Sequence, residues 1–341
     1  MTLEQIYRDA LAACAPERLV AEVLRADMPR DVVAIGKCAG ALLDGVAHHV
    51  RDAFVAIPAN YRRPTTRAQI EIGGHPDYTD ASFDAGDELL RFVDAHHDLL
   101  FLISGGGSAC VEVPAPGFTR EQLREENARL IASGLPIGAI NAKRKSMSAI
   151  KGGKLAQRVR GRCVTLVYSD VSTGALGDVA SGPTIPGSDE VALIADNTTL
   201  VRAAARRGAH VIERQIEGDV DDAARLLLDA LREFDFVVAG GEPTVAVRGD
   251  GKGGRCCELA VRVALHADMP LEALFGSSDG VDGNSGIAGV AIRLPVPFDR
   301  SDAERELARS NSLAVATRIG QPIRIPAAGN NLRDLYLLAR S

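Results

Sequence analysis

Two patterns of hydrophobic residues, one typical of buried strands and one typical of helices, alternate along the first two thirds of this chain. Short apolar runs, which predict buried strands, stand at DVVAIG (31–36), DLLFLIS (98–104), CVTLVYSD (163–170) and DFVVAGGEP (235–243). Between them, apolar residues recur at helical spacing in KCAGALLDGVAHHV (37–50), TREQLREENARLIAS (119–133) and DDAARLLLDALREF (221–234). Continuous apolar strands that alternate with helices are typical of parallel sheets covered on both faces. The pattern therefore predicts an α/β fold whose main domain is a doubly wound parallel sheet.

The last third of the chain has a different pattern. TVAVRGDGKGG (244–254) predicts a strand, an Asp-Gly turn and a glycine loop. It is followed by a predicted helix, CCELAVRVALHA (256–267), and by two predicted strands, LEALFGSSDG (271–280) and GVAIRL (289–294). We therefore expect two domains, residues 1–234 and a smaller mixed α/β domain at residues 235–341.

Composition narrows the class of partner. The chain has 341 residues, a net charge of −6, 4% aromatic residues and no tryptophan, which argues against general binding of nucleic acids or membranes. The N-terminus lacks the basic-then-apolar order of a signal peptide, and no apolar run is long enough to cross a bilayer. The six cysteines have no CxxC spacing. We expect a cytoplasmic protein with reduced thiols that binds a small molecule, and a homodimer is left open.

A glycine loop closes one of the predicted strands. Ser104, Gly105, Gly106, Gly107 and Ser108 follow LLFLI at the carboxyl end, where open α/β sheets bind their ligands. Glycines let backbone N–H groups approach an anion, and the two hydroxyls add donors. We interpret the loop as a phosphate or carboxylate site, the alternative being a tight turn. It does not match the dinucleotide fingerprint, which argues against a nicotinamide cofactor.

Basic residues stand at three other places. Lys37 follows the first predicted strand, and Arg255 lies between a glycine loop and a helix, where a guanidinium could clamp a phosphate or carboxylate. The basic stretch 141–162 contains no acid. If it is helical, Arg144 and Lys151 share a face and could bind a charged substrate beside Asn141; the alternative is a solvated surface.

Four acids lie where predicted strands end: Asp170, Glu242, Asp279 and Asp282. Carboxylates from separate strand ends are the ligands that Mg²⁺ prefers when it bridges a nucleotide. The alternative for the aspartates is Asp-Gly turn chemistry.

The chain resembles the glycerate 2-kinase family, two-domain kinases with a C-terminal MOFRL domain. The resemblance is carried in order by blocks that cover most of the chain, including AIGKCAGALLDG, GGHPDYTDASFDAG, SGGGSACVEVPAPGFT, INAKRKSMSAIKGGKLA, GGEPTVAVRGDGKGGR and SSDGVDGNSGIAG. It implies a Rossmann-like N-terminal domain and ATP- and Mg²⁺-dependent phosphorylation of the 2-hydroxyl of D-glycerate. Lys37 and Arg255 match the basic residues regarded as catalytic in the family.

On this basis, Lys37, Arg255 and Asp170 are the expected catalytic residues, and Asp170 and Asp279 the expected Mg²⁺ ligands. The sequence departs from the family pattern on several loops: it has Thr173 and Gly174 where a Gly-Asp pair is usual, Cys256 and Cys257 in place of two amide residues, and IPAAGNN at 325–331. Two alternatives therefore stay open, a kinase of a different sugar acid or specialised metabolite, and a non-catalytic anion-binding homologue. Reduction of hydroxypyruvate is a further option, which the missing dinucleotide loop disfavours.

Overall fold

The computed structural model describes residues 1–133, 137–172, 174–206, 208–326 and 330–341. These fall into two compact units. The parallel-sheet unit comprises Ala15–Asp196 with Gly329–Asn331, and the mixed-sheet unit comprises Met1–Cys14, Asn197–Ala328 and Leu332–Ser341. In the described part of the chain, no helix combines the length and apolarity that a bilayer crossing requires.

The parallel-sheet unit alternates strands and helices along the chain. Its elements are α2 (Pro16–Val23), β1 (Asp31–Ile35), α3 (Ala39–Gly45), β2 (Asp52–Pro58), β3 (Gln69–Gly73), α4 (Asp80–Ala95), β4 (Leu99–Ser104), α5 (Gly107–Cys110), α6 (Arg120–Ala132), α7 (Ile137–Met147), β5 (Cys163–Tyr168) and β6 (Glu190–Ala195).

Six parallel strands form the sheet of this unit in the order β3-β2-β1-β4-β5-β6. The order reverses between β1 and β4, which makes that junction the topological switch point where open α/β sheets bind ligands. Ile35 of β1 lies opposite Ile103 of β4, so the chain leaves the sheet at adjacent points on both strands. The predicted doubly wound parallel sheet is confirmed.

The mixed-sheet unit is built on a second six-stranded sheet. Its elements are α1 (Leu3–Ala13), α8 (Asn197–Ala204), β7 (His210–Val211), α9 (Val220–Glu233), β8 (Phe236–Gly241), α10 (Arg255–His266), β9 (Leu271–Ser277), β10 (Gly289–Leu294), α11 (Arg300–Ala308), α12 (Ser312–Ile319), β11 (Gly320–Ile323) and β12 (Asp334–Arg340).

The strands of this sheet run in the order β11-β10-β9-β12-β8-β7, and only the β7–β8 pair is parallel. The amphipathic helices α9 and α10 bury their apolar faces in one core with the inner faces of β8, β9 and β12. The mixed α/β character expected of the second domain is confirmed.

Two details differ from the sequence predictions. Residues 244–247 form no strand and make only an isolated bridge between Thr244 and Asp219, because Pro243 and the following glycines interrupt the ladder. The compact units divide the chain after Asp196 rather than at residue 234, since α8 and α9 pack in the mixed-sheet unit. As sequence domains, 1–234 and 235–341 stay a prediction.

Candidate active site

The ends of β1 and β4 are joined where the strand order reverses. The backbone N–H of Lys37 donates to the carbonyl of Gly105 at 2.9 Å. The buried Ser104 hydroxyl accepts the N–H of Cys38 at 3.0 Å and donates to the carbonyl of Ile35 at 3.2 Å. Ser104 therefore connects the turns after β1 and β4, and its hydroxyl already forms two hydrogen bonds within the protein.

Each glycine of the loop meets a different neighbour. A Cβ on Gly105 would overlap the carboxylate of Asp170, and Gly106 adopts a left-handed φ of 78° beside the Lys37 side chain. A Cβ on Gly107 would come within 2.8 Å of both Ala180 and Ile35. The loop therefore needs glycine for close approach as well as for its turn.

A carboxylate lies against this loop. Asp170 follows β5, the strand next to β4, and its Oδ2 accepts a hydrogen bond of 3.0 Å from Nδ2 of Asn331. Asn331 lies in the short C-terminal stretch that joins the parallel-sheet unit. The sequence reasoning assigned it no role, because no local pattern pairs residues that stand so far apart in the chain. Part of the divergent stretch before Asn331 lies outside the described residues, namely Ala327, Ala328 and Gly329. Thr173 also lies outside them.

Lys37 has an aromatic neighbour. Its Nζ lies 5.6 Å from the centroid of the Tyr61 ring, which follows β2, and this distance is within the range of cation–π attraction. His75 also belongs to this edge, since its Cδ2 and the Lys37 Cγ are both near the position that a Cβ on Gly106 would occupy.

Hydroxyl groups line the other side of the loop. The hydroxyls of Ser108 and Ser181 lie 2.9 Å apart, and the buried Ser181 also donates to Oδ1 of Asn141 at 3.4 Å. Ala180 and Ser181 have φ values of 51° and 60°, in the left-handed region that residues with a Cβ seldom occupy. The carbonyl of Ser181 is held by the N–H of Gly152 at 3.1 Å. Strained backbone of this kind persists only where its surroundings enforce it, and it is concentrated at functional sites.

Arg144 and Lys151 do not form the predicted helical stripe. Helix α7 ends at Met147, and Lys151 lies beyond it, buried and paired with the equally buried Glu112. Burial lowers the pKa of Lys151, and the Glu112 carboxylate counteracts this. Glu112 also accepts from the Tyr78 hydroxyl, whereas the Arg144 guanidinium donates to Oδ1 of Asn127 at 2.7 Å. These contacts give Arg144 and Lys151 structural roles and lend no support to substrate binding.

Arg255, in the mixed-sheet unit, is bound by two carboxylates. Its Nε and Nη2 donate to Oδ2 and Oδ1 of the buried Asp334 at 3.0 and 3.2 Å, and its Nη1 lies 2.9 Å from Oε1 of Glu242. The negative charge of Asp334 raises the pKa of Arg255. The forked geometry expected of Arg255 is present, and it is directed at a residue of the protein itself.

Asp282 and Asp279 stabilise local structure. The buried Asp282 carboxylate accepts the N–H groups of Cys256 and Cys257 at 3.0 and 2.9 Å, at the start of α10. Asp279 accepts from the Ser277 hydroxyl and the Val281 N–H, which is an Asp-centred turn. The side chains of Cys256 and Cys257 are fully buried.

Two known families match this chain, one in each part of the sequence. Residues 2–213 match the family described as a domain of unknown function, DUF4147. Residues 235–334 match the MOFRL family.

Named relatives match over most of the chain. A glycerate 2-kinase of Sulfurisphaera tokodaii is 28% identical over 90% of this chain and 89% of its own length. A putative hydroxypyruvate reductase of Agrobacterium vitis is 30% identical over 76% of this chain and 85% of its own. The crystal structure of a glycerate kinase from Thermotoga maritima superposes with a TM-score of 0.85 at 26% identity, and covers 99% of this chain and 98% of that one.

Proposed function

We propose a function for this chain from its family, since it belongs to the glycerate 2-kinase family with DUF4147 and MOFRL domains. The proposed function is ATP-dependent transfer of a phosphoryl group to the 2-hydroxyl of D-glycerate. Membership makes the chain a kinase with a hydroxyl acceptor. ATP as the donor, Mg²⁺, the cytoplasm as location and glycerate in place of a larger sugar acid are the specific parts of the proposal.

The observation that supports it most is the arrangement at the β1–β4 switch point. Lys37, the Gly105–Gly107 loop and Asp170 come from three neighbouring strands and converge at one edge of the sheet. Phosphoryl transfer requires positioning and charge neutralisation more than covalent chemistry. The loop N–H groups would hold phosphate oxygens, and the Lys37 ammonium would stabilise charge that develops on the transferred group.

The donor set at this edge suits a magnesium ion carried by a nucleotide. Mg²⁺ in such sites keeps several waters and is bound by one or two carboxylates together with phosphate oxygens. Asp170 supplies one carboxylate beside the glycine loop, and among the described residues no group of three or more His, Cys, Asp or Glu side chains could hold a metal alone. We propose Asp170 as the protein ligand and leave Asp279 out, since its Oδ1 already serves the turn. Bound Mg²⁺ would neutralise phosphate charge.

Removal of the proton from the substrate hydroxyl has two candidates. Asp170 lies against the loop, whereas Oδ1 of Asp178 is 2.7 Å from the Lys145 ammonium. Replacing Asp170 and Asp178 by asparagine, one at a time, would identify the base, because loss of the base should lower kcat more than it lowers the affinity for nucleotide.

The relative named as a putative hydroxypyruvate reductase makes reduction the second candidate. A nicotinamide dinucleotide is bound by a glycine fingerprint after the first strand of a Rossmann-like sheet. Here that position reads Gly36-Lys37-Cys38-Ala39-Gly40, without the fingerprint. This observation favours the kinase.

The proposal is tested with purified protein, ATP, Mg²⁺ and a panel of hydroxy acids, with release of ADP as the readout. We expect acid-dependent release that is largest with D-glycerate. A larger sugar acid as the best acceptor would change the substrate but keep the chemistry. Consumption of NADH with hydroxypyruvate, and no ADP release with any acid, would overturn the proposal in favour of a reductase.

A further inference from the structure

The two carboxylates that bind Arg255 differ in their surroundings. Asp334 is fully buried and meets two nitrogens of the guanidinium, and its Oδ2 also accepts the Tyr336 hydroxyl at 3.2 Å. It is the first residue of β12, the central strand whose ladders with β8 and β9 hold its backbone in place. Asp334 therefore fixes the direction of Arg255.

Glu242 is the more exposed of the two carboxylates. Its side chain is 40% exposed, whereas that of Asp334 is not exposed at all, and its Oε1 lies 2.9 Å from Nη1 of Arg255. An ion pair that is open to solvent contributes little, so an anion from solution can compete for this nitrogen.

A second arginine gives Glu242 an alternative cation. Oε2 of Glu242 lies 3.5 Å from Nε of Arg333, and Nη1 of Arg333 lies 2.7 Å from Oε1 of Glu217. Arg333 has a left-handed φ of 63° and a side chain that is only 11% exposed. If Glu242 left Arg255, its carboxylate would stay paired with Arg333 rather than lose every partner.

The ion pairs of this cluster favour a displacement of Glu242 from Arg255 when an anion binds. Arg255 and Arg333 are surrounded by the carboxylates of Asp334, Glu242 and Glu217, so the cluster is short of positive charge while Glu242 neutralises Nη1. An anionic group would gain from Arg255 only after Glu242 has moved away.

We propose that Asp334 is a positioning residue for Arg255 and that Glu242 is a displaceable counterion, which yields Nη1 to an anionic oxygen group of the substrate and remains bound to Arg333. The ligand is a phosphate or a carboxylate group. The inference rests on the proposed function for its kinetic consequence, while its binding consequence can be measured without catalysis.

The two carboxylates should respond in opposite directions. Glu242→Gln removes the competing charge, so affinity for an anion should rise, by about threefold to tenfold for an exposed pair of this strength. Asp334→Asn releases the guanidinium from its orientation, so kcat should fall by about 100-fold, the order of loss caused by a misplaced catalytic group. Glu217→Gln removes a different carboxylate that contacts Arg333, so it is the matched control and should change anion affinity less than Glu242→Gln.

The experiment measures binding of inorganic phosphate and, separately, of D-glycerate by calorimetry on the full chain, alongside kcat and KM. Tighter binding of phosphate to Glu242→Gln assigns the site to the transferred group, and tighter binding of D-glycerate assigns it to the substrate carboxylate. Unchanged or weaker binding of both probes overturns the role of Glu242, whether or not the chain is a kinase.

The role of Asp334 needs a variant that folds. Tyr336→Phe removes one hydrogen bond to Asp334 and keeps the ring, so kcat should fall at least about twofold with KM nearly unchanged. An unchanged kcat in Tyr336→Phe, or a folded Asp334→Asn variant with normal kcat and only lower stability, overturns the positioning role.

Discussion

The backbone N–H of Lys37 donates to the carbonyl of Gly105 at 2.9 Å and ties the loop after β1 to the loop after β4. The bond lies where the strand order of the parallel sheet reverses. It brings a cationic side chain and a glycine loop to one place, although the two lie far apart in the sequence.

Gly105→Ala should reduce kcat/KM by about 100-fold or more while the protein stays folded. The new methyl group would overlap Asp170 and Asn331, and displacement of a catalytic group by about 1 Å costs this order of rate. Gly138→Ala is the matched control, since a Cβ there meets no atom within 4 Å on an exposed part of α7. Normal kinetics for Gly105→Ala would show that Asp170 has no part in the reaction.

Lys37→Ala should lower kcat by about 100-fold to 1000-fold, the usual loss when one charge-stabilising donor is removed. Thermal unfolding should change little, because the side chain is only partly buried. Steady-state kinetics and a melting curve on the same preparation check both expectations. Lys143→Ala, on the exposed surface of α7, serves as the control, and equal kcat values for the two variants would remove Lys37 from the site.

Replacing Ser181 separates its hydroxyl from its strained backbone. Ser181→Ala and Ser181→Gly both lose the bond to Ser108, so both should show a similar decrease in kcat/KM. Glycine alone tolerates the φ of 60°, and the glycine variant should therefore be more stable than the alanine variant by about 1 kcal/mol. Denaturant unfolding measures the difference, and equal stabilities would contradict the strained conformation.

Asp221 should make the stability of the mixed-sheet unit depend on acid. Burial raises the pKa of Asp221, but hydrogen bonds from His266, Arg262 and Arg225 outweigh it and lower the pKa to about 2. The unfolded carboxyl titrates near about 3.9, so the stabilising contribution is complete above that pH and is lost as the pH falls towards 2.

Unfolding free energies measured between pH 5 and 2 on Asp221→Asn test this, with the exposed Asp222→Asn as control. The Asp221 variant should lose less stability over that range than the parent protein. The same slope in both would show that the carboxylate titrates alike in the folded and unfolded chain.

Local patterns predicted the elements that depend on local interactions. The helix predicted at 119–133 is an example: α6 begins after Thr119, whose hydroxyl accepts the Gln122 N–H at 3.2 Å, while Oε1 of Gln122 accepts the Thr119 N–H at 2.8 Å. The positions of Lys37 and Asp170 at strand ends could also be predicted, because the end of an apolar run indicates where a strand ends.

Contacts between segments that are distant in the sequence could not be predicted from local patterns. No periodicity pairs Asp170 with Asn331, and none shows that the fork of Arg255 is directed at Asp334. Lys151 belongs to a basic stretch that is typical of a solvated surface, yet it is buried because Glu112 compensates its charge. The left-handed backbone of Ser181 was not predicted either, and the N–H of Gly152 that binds its carbonyl comes from a distant part of the chain.

The most direct test of the central claim is the position of the phosphate on the product. The protein is incubated with ATP, Mg²⁺ and D-glycerate, and the product is examined by proton-coupled ³¹P NMR. We predict a phosphate signal coupled to the single proton on carbon 2, hence 2-phosphoglycerate. A signal coupled to the two protons on carbon 3, or no phosphorylated product from a folded protein that binds nucleotide, would contradict the account.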